Sequence, residues 1–275
     1  MALRINSNVA SVFSQKHLSR SQERLSGNFE KLSSGLRITK AADDAGGLGV
    51  SEVLRARIRS LGAAVRNTND GISMVQTAES SLAEIGNSLS RMRELAVQAT
   101  SGVLQAGERA YLNTEFAALS TEINRVANVT EFNGLFLSNA ATASVAVHVG
   151  AGAVAANDQI AVTLKSGLAT ALGINASNLG NTTASLAAIT ALDTAIDSNN
   201  TNRASYGASQ NALTSALHQL ESATENLVAA ESRIRDVDFA AETADMTRNS
   251  IFQQAGVAVL AQANVAPQVA LQLLQ

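Results

Sequence analysis

Residues 54–96 read LRARIRSLGAAVRNTNDGISMVQTAESSLAEIGNSLSRMRELA. Within that run Leu54, Ile58, Leu61, Val65, Thr68, Ile72, Val75, Glu79, Leu82, Gly86 and Leu89 recur at intervals of four and three, and Met92 and Ala96 continue a neighbouring row. The spacing places one stripe along one face of an α-helix; a strand, whose period is two, cannot present it. With its flanks the pattern predicts a helix over about 45–99, roughly 80 Å long at 1.5 Å per residue. No single compact core needs an element of that length.

Outward from this run the same spacing continues. Towards the N-terminus, Leu18, Gln22, Leu25, Phe29, Leu32 and Leu36 form one stripe, with a shorter one at Ile5, Val9 and Val12. After a short break at Ser101-Gly102, Leu112, Phe116, Leu119, Ile123 and Val126 predict an antiparallel return. A second long helix is predicted through Leu192, Ile196, Asn199, Arg203, Tyr206, Gln210, Leu213, Leu217, Leu220, Thr224, Leu227, Glu231 and Ile234. The final segment, Met246 to Leu274, is apolar on several faces and therefore calls for neighbours on several sides. Between Asn133 and Ala188 only Asp158 and Lys165 carry formal charge. There SVAVHV (Ser144–Val149) and QIAVTL (Gln159–Leu164) predict a hairpin joined by the loop Gly150–Asp158, and Ser166–Ser185 a connection of small polar residues. The expected fold is mainly α: a long antiparallel helical rod or coiled coil with a small β-hairpin region at the chain midpoint and both termini at the same end. Residues 1–42 with 236–275 are expected to form a terminal coiled-coil domain, and 43–235 a rod-like helical domain that includes the hairpin region 139–185.

Composition limits the chemistry. The 275 residues include no cysteine, no tryptophan and one proline, Pro267, which excludes disulfide frameworks and cysteine-ligated metals. Aromatics are 3% while apolar residues are 46%, so burial falls to Leu, Ile, Val and the 50 alanines, a profile suited to closely packed helices. The N-terminus lacks an apolar run of signal-peptide length, and no run of 18 apolar residues predicts a membrane span. Residues 1–66 carry eleven basic and five acidic side chains, and residues 193–275 four and nine. The acidic end offsets the basic one, so no nucleic-acid partner is expected. Neither GxxxxGK[ST] nor HExxH occurs, and His17, His148 and His218 have no ligand spacing. Gly46-Gly47-Leu48-Gly49 lacks the third glycine of a dinucleotide loop, and Asp43-Asp44, just before a predicted helix, is read as capping. No catalytic residue, metal or cofactor is expected, and the chain is not read as an enzyme.

Three blocks carry a specific resemblance. They are Leu32-Ser33-Ser34-Gly35-Leu36-Arg37-Ile38 with Ala41-Ala42-Asp43-Asp44-Ala45-Gly46-Gly47; Arg91-Met92-Arg93-Glu94-Leu95-Ala96-Val97-Gln98 followed by Glu131-Phe132-Asn133-Gly134; and Ser232-Arg233-Ile234-Arg235-Asp236-Val237-Asp238-Phe239-Ala240, Gln253-Gln254-Ala255-Gly256 and Leu260-Ala261-Gln262-Ala263-Asn264. In order and spacing, over roughly residues 1–138 and 205–275, the chain resembles bacterial flagellins, in a short form lacking outer variable domains. The resemblance implies a structural subunit that is exported and self-assembles into the flagellar filament for motility, located outside the cell. Its implied partners are further copies of itself, the flagellar export apparatus, a chaperone at the C-terminal helix, and the filament cap and junction proteins. A host Toll-like receptor is a further implied partner, with Arg91, Leu95 and Glu115 at the positions that match its contact surface. The residues expected to drive assembly of the terminal helices are Ile5, Val9, Val12, Leu25, Phe29, Leu32, Ile251, Phe252, Val259, Leu260, Leu271 and Leu274. A hook–filament junction protein and a coiled-coil signalling protein are the alternatives.

Opposite charge on the two ends suits helix pairing, with Lys16, Arg20, Arg24 and Lys31 against Glu242 and Asp245. Exposed pairs contribute only about 0–1 kcal/mol each and select a partner more than they stabilise it. Residues 1–40 and 240–275 are accordingly expected to order only when neighbouring subunits supply apolar surface. A chain without cysteine and nearly without proline also suits passage unfolded through a narrow channel.

Overall fold

The computed structural model describes residues 7–139 and 143–272, with side chains described as far as residue 265. The order of elements is α1 (Val9–Ser34), α2 (Ala45–Ala99), α3 (Ala106–Val129), β1 (Glu131–Phe132), β2 (Leu135–Phe136), β3 (Ser144–His148), α4 (Ala155–Asp158), β4 (Gln159–Thr163), α5 (Thr182–Arg235) and α6 (Phe239–Gln272). The fold is therefore mainly α with two antiparallel hairpins. The chain divides into two compact units, Met1–Ala56 with Asn226–Gln275, and Arg57–Glu225.

In the unit 57–225, α2 supplies most of the core. Val75, Ala78, Leu82, Ile85, Leu89, Met92 and Ala96 are each fully buried. The buried set is broader than the single stripe expected from the sequence: Glu79 and Gly86 are only half-buried, while Ala78 and Ile85 beside them are core. The reason is that α2 shares its core with more than one neighbour. Phe116, Ile123 and Ala127 of α3 enter the same cluster as Ala188, Leu192, Ala195, Tyr206 and Leu213 of α5. Polar members of the α2 and α5 stripes meet each other. Arg203 donates through Nε and Nη2 to Glu79 Oε1 at 3.0 and 2.7 Å, and Asn199, 1% exposed, donates to the Leu82 carbonyl at 3.0 Å. For the buried Asn199 Nδ2, loss of that acceptor would cost about 1–3 kcal/mol, whereas its Oδ1 is buried without a hydrogen-bond partner among the described residues.

Both hairpins follow from local chemistry. Asn133 and Gly134, at φ 49° and 78°, form the two-residue turn between β1 and β2, a pair of left-handed positions that Asn-Gly tolerates best. The β3 and β4 strands pair from Ser144↔Thr163 to His148↔Gln159, with Val145, Val147, Ile160 and Val162 turned inward. The hairpin lies close on α2 because position 71 is glycine: a Cβ there would stand 2.9 Å from both Val147 methyls. The expected loop Gly150–Asp158 contains the single turn α4, and the Asp158 carboxylate accepts from the Gly152 and Val154 amides at 3.3 and 3.0 Å. The Ser166–Ser185 connection is more than a polar tether. Ala169, Leu172, Ile174 and Leu179 are buried, and Asn124 and Asn113 of α3 accept from the Ala169 and Leu179 amides at 3.0 and 2.8 Å.

In the other unit, α1 and α6 run antiparallel, Asn8 meeting Ala263 and Asn28 meeting Asn249. Helix α1 ends at Gly35, whose left-handed φ of 72° lets its N–H reach the Lys31 carbonyl. Beyond it, Leu36 bridges Asp236 antiparallel, and Val237 donates to the Gly35 carbonyl at 3.0 Å. The paired aspartates then divide their work. Asp44 accepts from the Gly47 amide at 2.8 Å at the start of α2. Asp43 instead turns back to accept from Lys40 N, Thr39 N and Thr39 Oγ1, each at 3.0 Å, and these backbone donors, Lys40 first, hold its carboxyl below the usual range.

Candidate assembly surfaces

The α1·α6 pair buries the wrong residues for a pair meant to stand alone. On α1 the half-buried or buried positions include the series Ser11, Ser14, Leu18, Ser21, Leu25, Asn28 and Leu32, flanked by Gly27 and Lys31; on α6 they include Glu242, Met246, Asn249, Gln253, Gly256, Leu260 and Ala263, with Ser250 beside them. Both sets alternate by three and four, the spacing of a coiled-coil seam. Yet half or more of their members are small or polar. The large apolar side chains lie off the seam: Val9, Val12, Phe13 and Phe29 are 56–70% exposed on α1, and Ile251, Phe252, Val257 and Val259 are 52–58% exposed on α6. Large apolar side chains clustered outside a helix pair's own seam suit an interaction face.

The expected assembly residues therefore separate into two groups. Leu25, Leu32 and Leu260 line the seam inside the chain, whereas Val9, Val12, Phe29, Ile251, Phe252 and Val259 face outward. Ile5 and Leu274 lie outside the described residues, and Leu271 outside the described side chains. Sequence reasoning missed the seam's polar half because it ran the stripe through Gln22 and Phe29, which are exposed, rather than through Ser21 and Asn28 beside them. Admitting Ser11, Ser14, Ser21 and Asn28 to the periodicity would have revealed an unbroken heptad pattern.

The three residues matched to a receptor surface are not alike. Arg91 is exposed and donates to Glu115 Oε1 from Nε and Nη2 at 3.0 and 2.9 Å and to Glu94 at 2.9 Å. Leu95, by contrast, is 1% exposed and belongs to the core. Only Arg91 and Glu115 of that set are presented at the surface. Nearby, Arg93 ties α2 to Asp193 of α5, which holds the Asp193 carboxyl below its usual value. A separate groove of about 400 Å³ lies between Asn67, Asp70, Gly71 and Met74 of α2 and the hairpin residues Phe132–Leu135 and Val145–His148. Among the described residues no group of three or more His, Asp or Glu could hold a metal ion, and no helix is long and apolar enough to cross a membrane.

The bacterial flagellin N-terminal helical region matches residues 5–143, and the bacterial flagellin C-terminal helical region matches residues 189–274. The chain belongs to the bacterial flagellin family. Similar flagellins include that of Halalkalibacterium halodurans, 46% identical with 90% of each chain covered, and that of Bacillus subtilis, 40% identical with 99% of this chain and 100% of that one covered. The flagellar filament 33 kDa core protein of Treponema phagedenis is 41% identical over 98% of this chain and 99% of its own. Among solved structures, Bacillus cereus flagellin aligns with a TM-score of 0.51 at 32% identity, covering 60% of this chain and 94% of that one. A Vibrio parahaemolyticus structure described as a flagellar hook-associated protein aligns at 0.59 but at 14% identity, which shows the shared fold alone. The flagellin relatives match nearly end to end, so a filament subunit is favoured over a hook–filament junction or signalling protein.

Proposed function

We infer that this chain is the structural subunit of a bacterial flagellar filament, self-assembling for motility. The observation that carries this is the outward apolar surface of α1 and α6 in a chain of the flagellin family: Val9, Val12, Phe29, Ile251, Phe252 and Val259 each stay more than half exposed within the chain. Burying each such side chain contributes about 1.5–3 kcal/mol, and neighbouring copies are the apolar surface that a filament supplies. In this reading residues 1–42 with 236–275 form the inner coiled coil, and 43–235 the rod-like surround, with the 139–185 region adding no separate outer domain. The finished subunit is extracellular, reached through the flagellar export apparatus with a chaperone on the C-terminal helix, and the ends of the filament meet cap and junction proteins. Its role is structural rather than enzymatic. Sensing by a Toll-like receptor would use Arg91 and Glu115, with Leu95 supporting that surface from beneath.

Electron microscopy of purified protein left to polymerise tests the assignment. The full chain should form long filaments, and a chain lacking residues 246–275 should form none while remaining helical. Normal filaments from the truncated chain would overturn the role given to α6.

A further inference from the structure

The terminal helix pair holds its polarity in an unexpected place. Asn28 is 9% exposed near the C-terminal end of the α1 seam; its Nδ2 donates to Glu242 Oε1, and its Oδ1 accepts from Asn249 Nδ2 at 2.9 Å. Near the other end, Ser11 Oγ donates to Asn264 Oδ1 at 2.8 Å. Between these two contacts the helices approach closely, since a Cβ on Gly256 would stand 4.0 Å from Leu18 Cβ. A seam with so few large apolar side chains gains little from burial. The outward faces offer α1 more apolar contact on α6 of another copy, and a slip of one heptad keeps the same two seam faces together at little apolar cost. A slip would carry Ser11 away from Asn264 and remove one of the two partners of Asn28. An amide with one of its polar groups left buried and unpaired disfavours such a slip, which is how a polar residue in a coiled-coil seam fixes register at some cost in stability.

We propose that Asn28, Asn249 and Glu242, with Ser11 and Asn264, are the residues that determine register and partner in the terminal helices. They commit α1 to α6 of its own chain in a single register and so keep the apolar outer faces free for second copies. The register half stands independently; the second half rests on the filament assignment.

The absence of native cysteine makes a direct test possible in the full chain. Leu18→Cys with Gly256→Cys reports the observed register, because its Cβ separation matches disulfide geometry. Leu18→Cys with Ala263→Cys reports a slip of one heptad. With the polar residues intact, oxidation under polymerising conditions, in which both terminal helices are ordered, should favour the first crosslink by at least about tenfold, with few interchain dimers. In Asn28→Leu/Asn249→Leu the preference should fall below roughly threefold and interchain dimers should appear, while helix content by circular dichroism is kept. An unchanged preference in that variant, or none in the parent, overturns the proposal. Should the double leucine chain fail to fold, Asn28→Asp sets a like charge against Glu242 and should lose the in-register crosslink, and added Glu242→Lys should restore it; absence of rescue counts equally against it. If the parent crosslinks in register but micrographs show no filaments, the filament assignment fails and the register proposal survives.

Discussion

Tyr206 shows how a single polar atom organises the core of the 57–225 unit. Its ring is fully buried, and its hydroxyl accepts the Lys165 amide at 2.9 Å just beyond β4, tying α5 to the hairpin. Tyr206→Phe leaves that amide without an acceptor and should lower stability by about 1–3 kcal/mol in chemical denaturation. Burial also pushes the Tyr206 hydroxyl above its ordinary value of 10.0. The unfolded chain then ionises first as pH rises, so stability is intact below about 10 and declines as pH climbs from there through the folded value. The Phe variant should show a shallower alkaline decline over the same range; an equal slope would remove Tyr206 from the account. At this scale the sequence named Tyr206 as a stripe member, but not its partner, which lies forty-one residues away in a stretch of little pattern.

Elements are fixed by what lies opposite them. Helix α2 was legible from its spacing, since a run of threes and fours cannot form a strand. Which of its residues are core was less so, because Ala78 and Ile85 join a core that α2 shares with α3, α5 and the connection at Gly167, none of which its own spacing announces. Gly71 makes the same point for the β3–β4 hairpin. Gly71→Ala improves helix propensity by about 1 kcal/mol, but its methyl meets both branches of Val147, and overpacking of that kind costs about 1–3 kcal/mol. A net fall in thermal stability is expected, and Val147→Ala in the same chain should recover most of it. A neutral Gly71→Ala would mean that the hairpin moves freely off the helix. The connection Ser166–Ser185 was read only for its small polar residues for a related reason: the buried Leu172, Ile174 and Leu179 follow no helical or strand period, and no local pattern announces the Asn124 and Asn113 oxygens that accept from the Ala169 and Leu179 amides.

For the whole chain, the contrast between its two units bears on assembly. The 57–225 unit carries a continuous apolar core, whereas α1 and α6 meet through a seam rich in Ser, Asn and Gly and expose their largest apolar groups. Sparse apolar burial gives low local stability and fast exchange. Amide exchange on unpolymerised chains should therefore show α1 and α6 far less protected than α2 and α3, with protection rising on polymerisation; strong protection of both terminal helices in monomers would contradict coupling of their folding to assembly. Family, helical class and the positions of the long helices and of the β3–β4 hairpin were legible in the sequence alone, because helical spacing and the blocks around Arg91 and Arg235 survive in the linear chain, whereas the β1–β2 hairpin and α4 were not read from it. Tertiary structure decided which faces are spent inside the chain: it buried Leu95, brought Asn28 between Glu242 and Asn249, and turned Val9 and Phe252 outward. Periodicity tells which residues share a face, but only the partner helix tells whether that face is covered, and a polar residue belongs in a seam only when its hydrogen-bond partner is there to meet it.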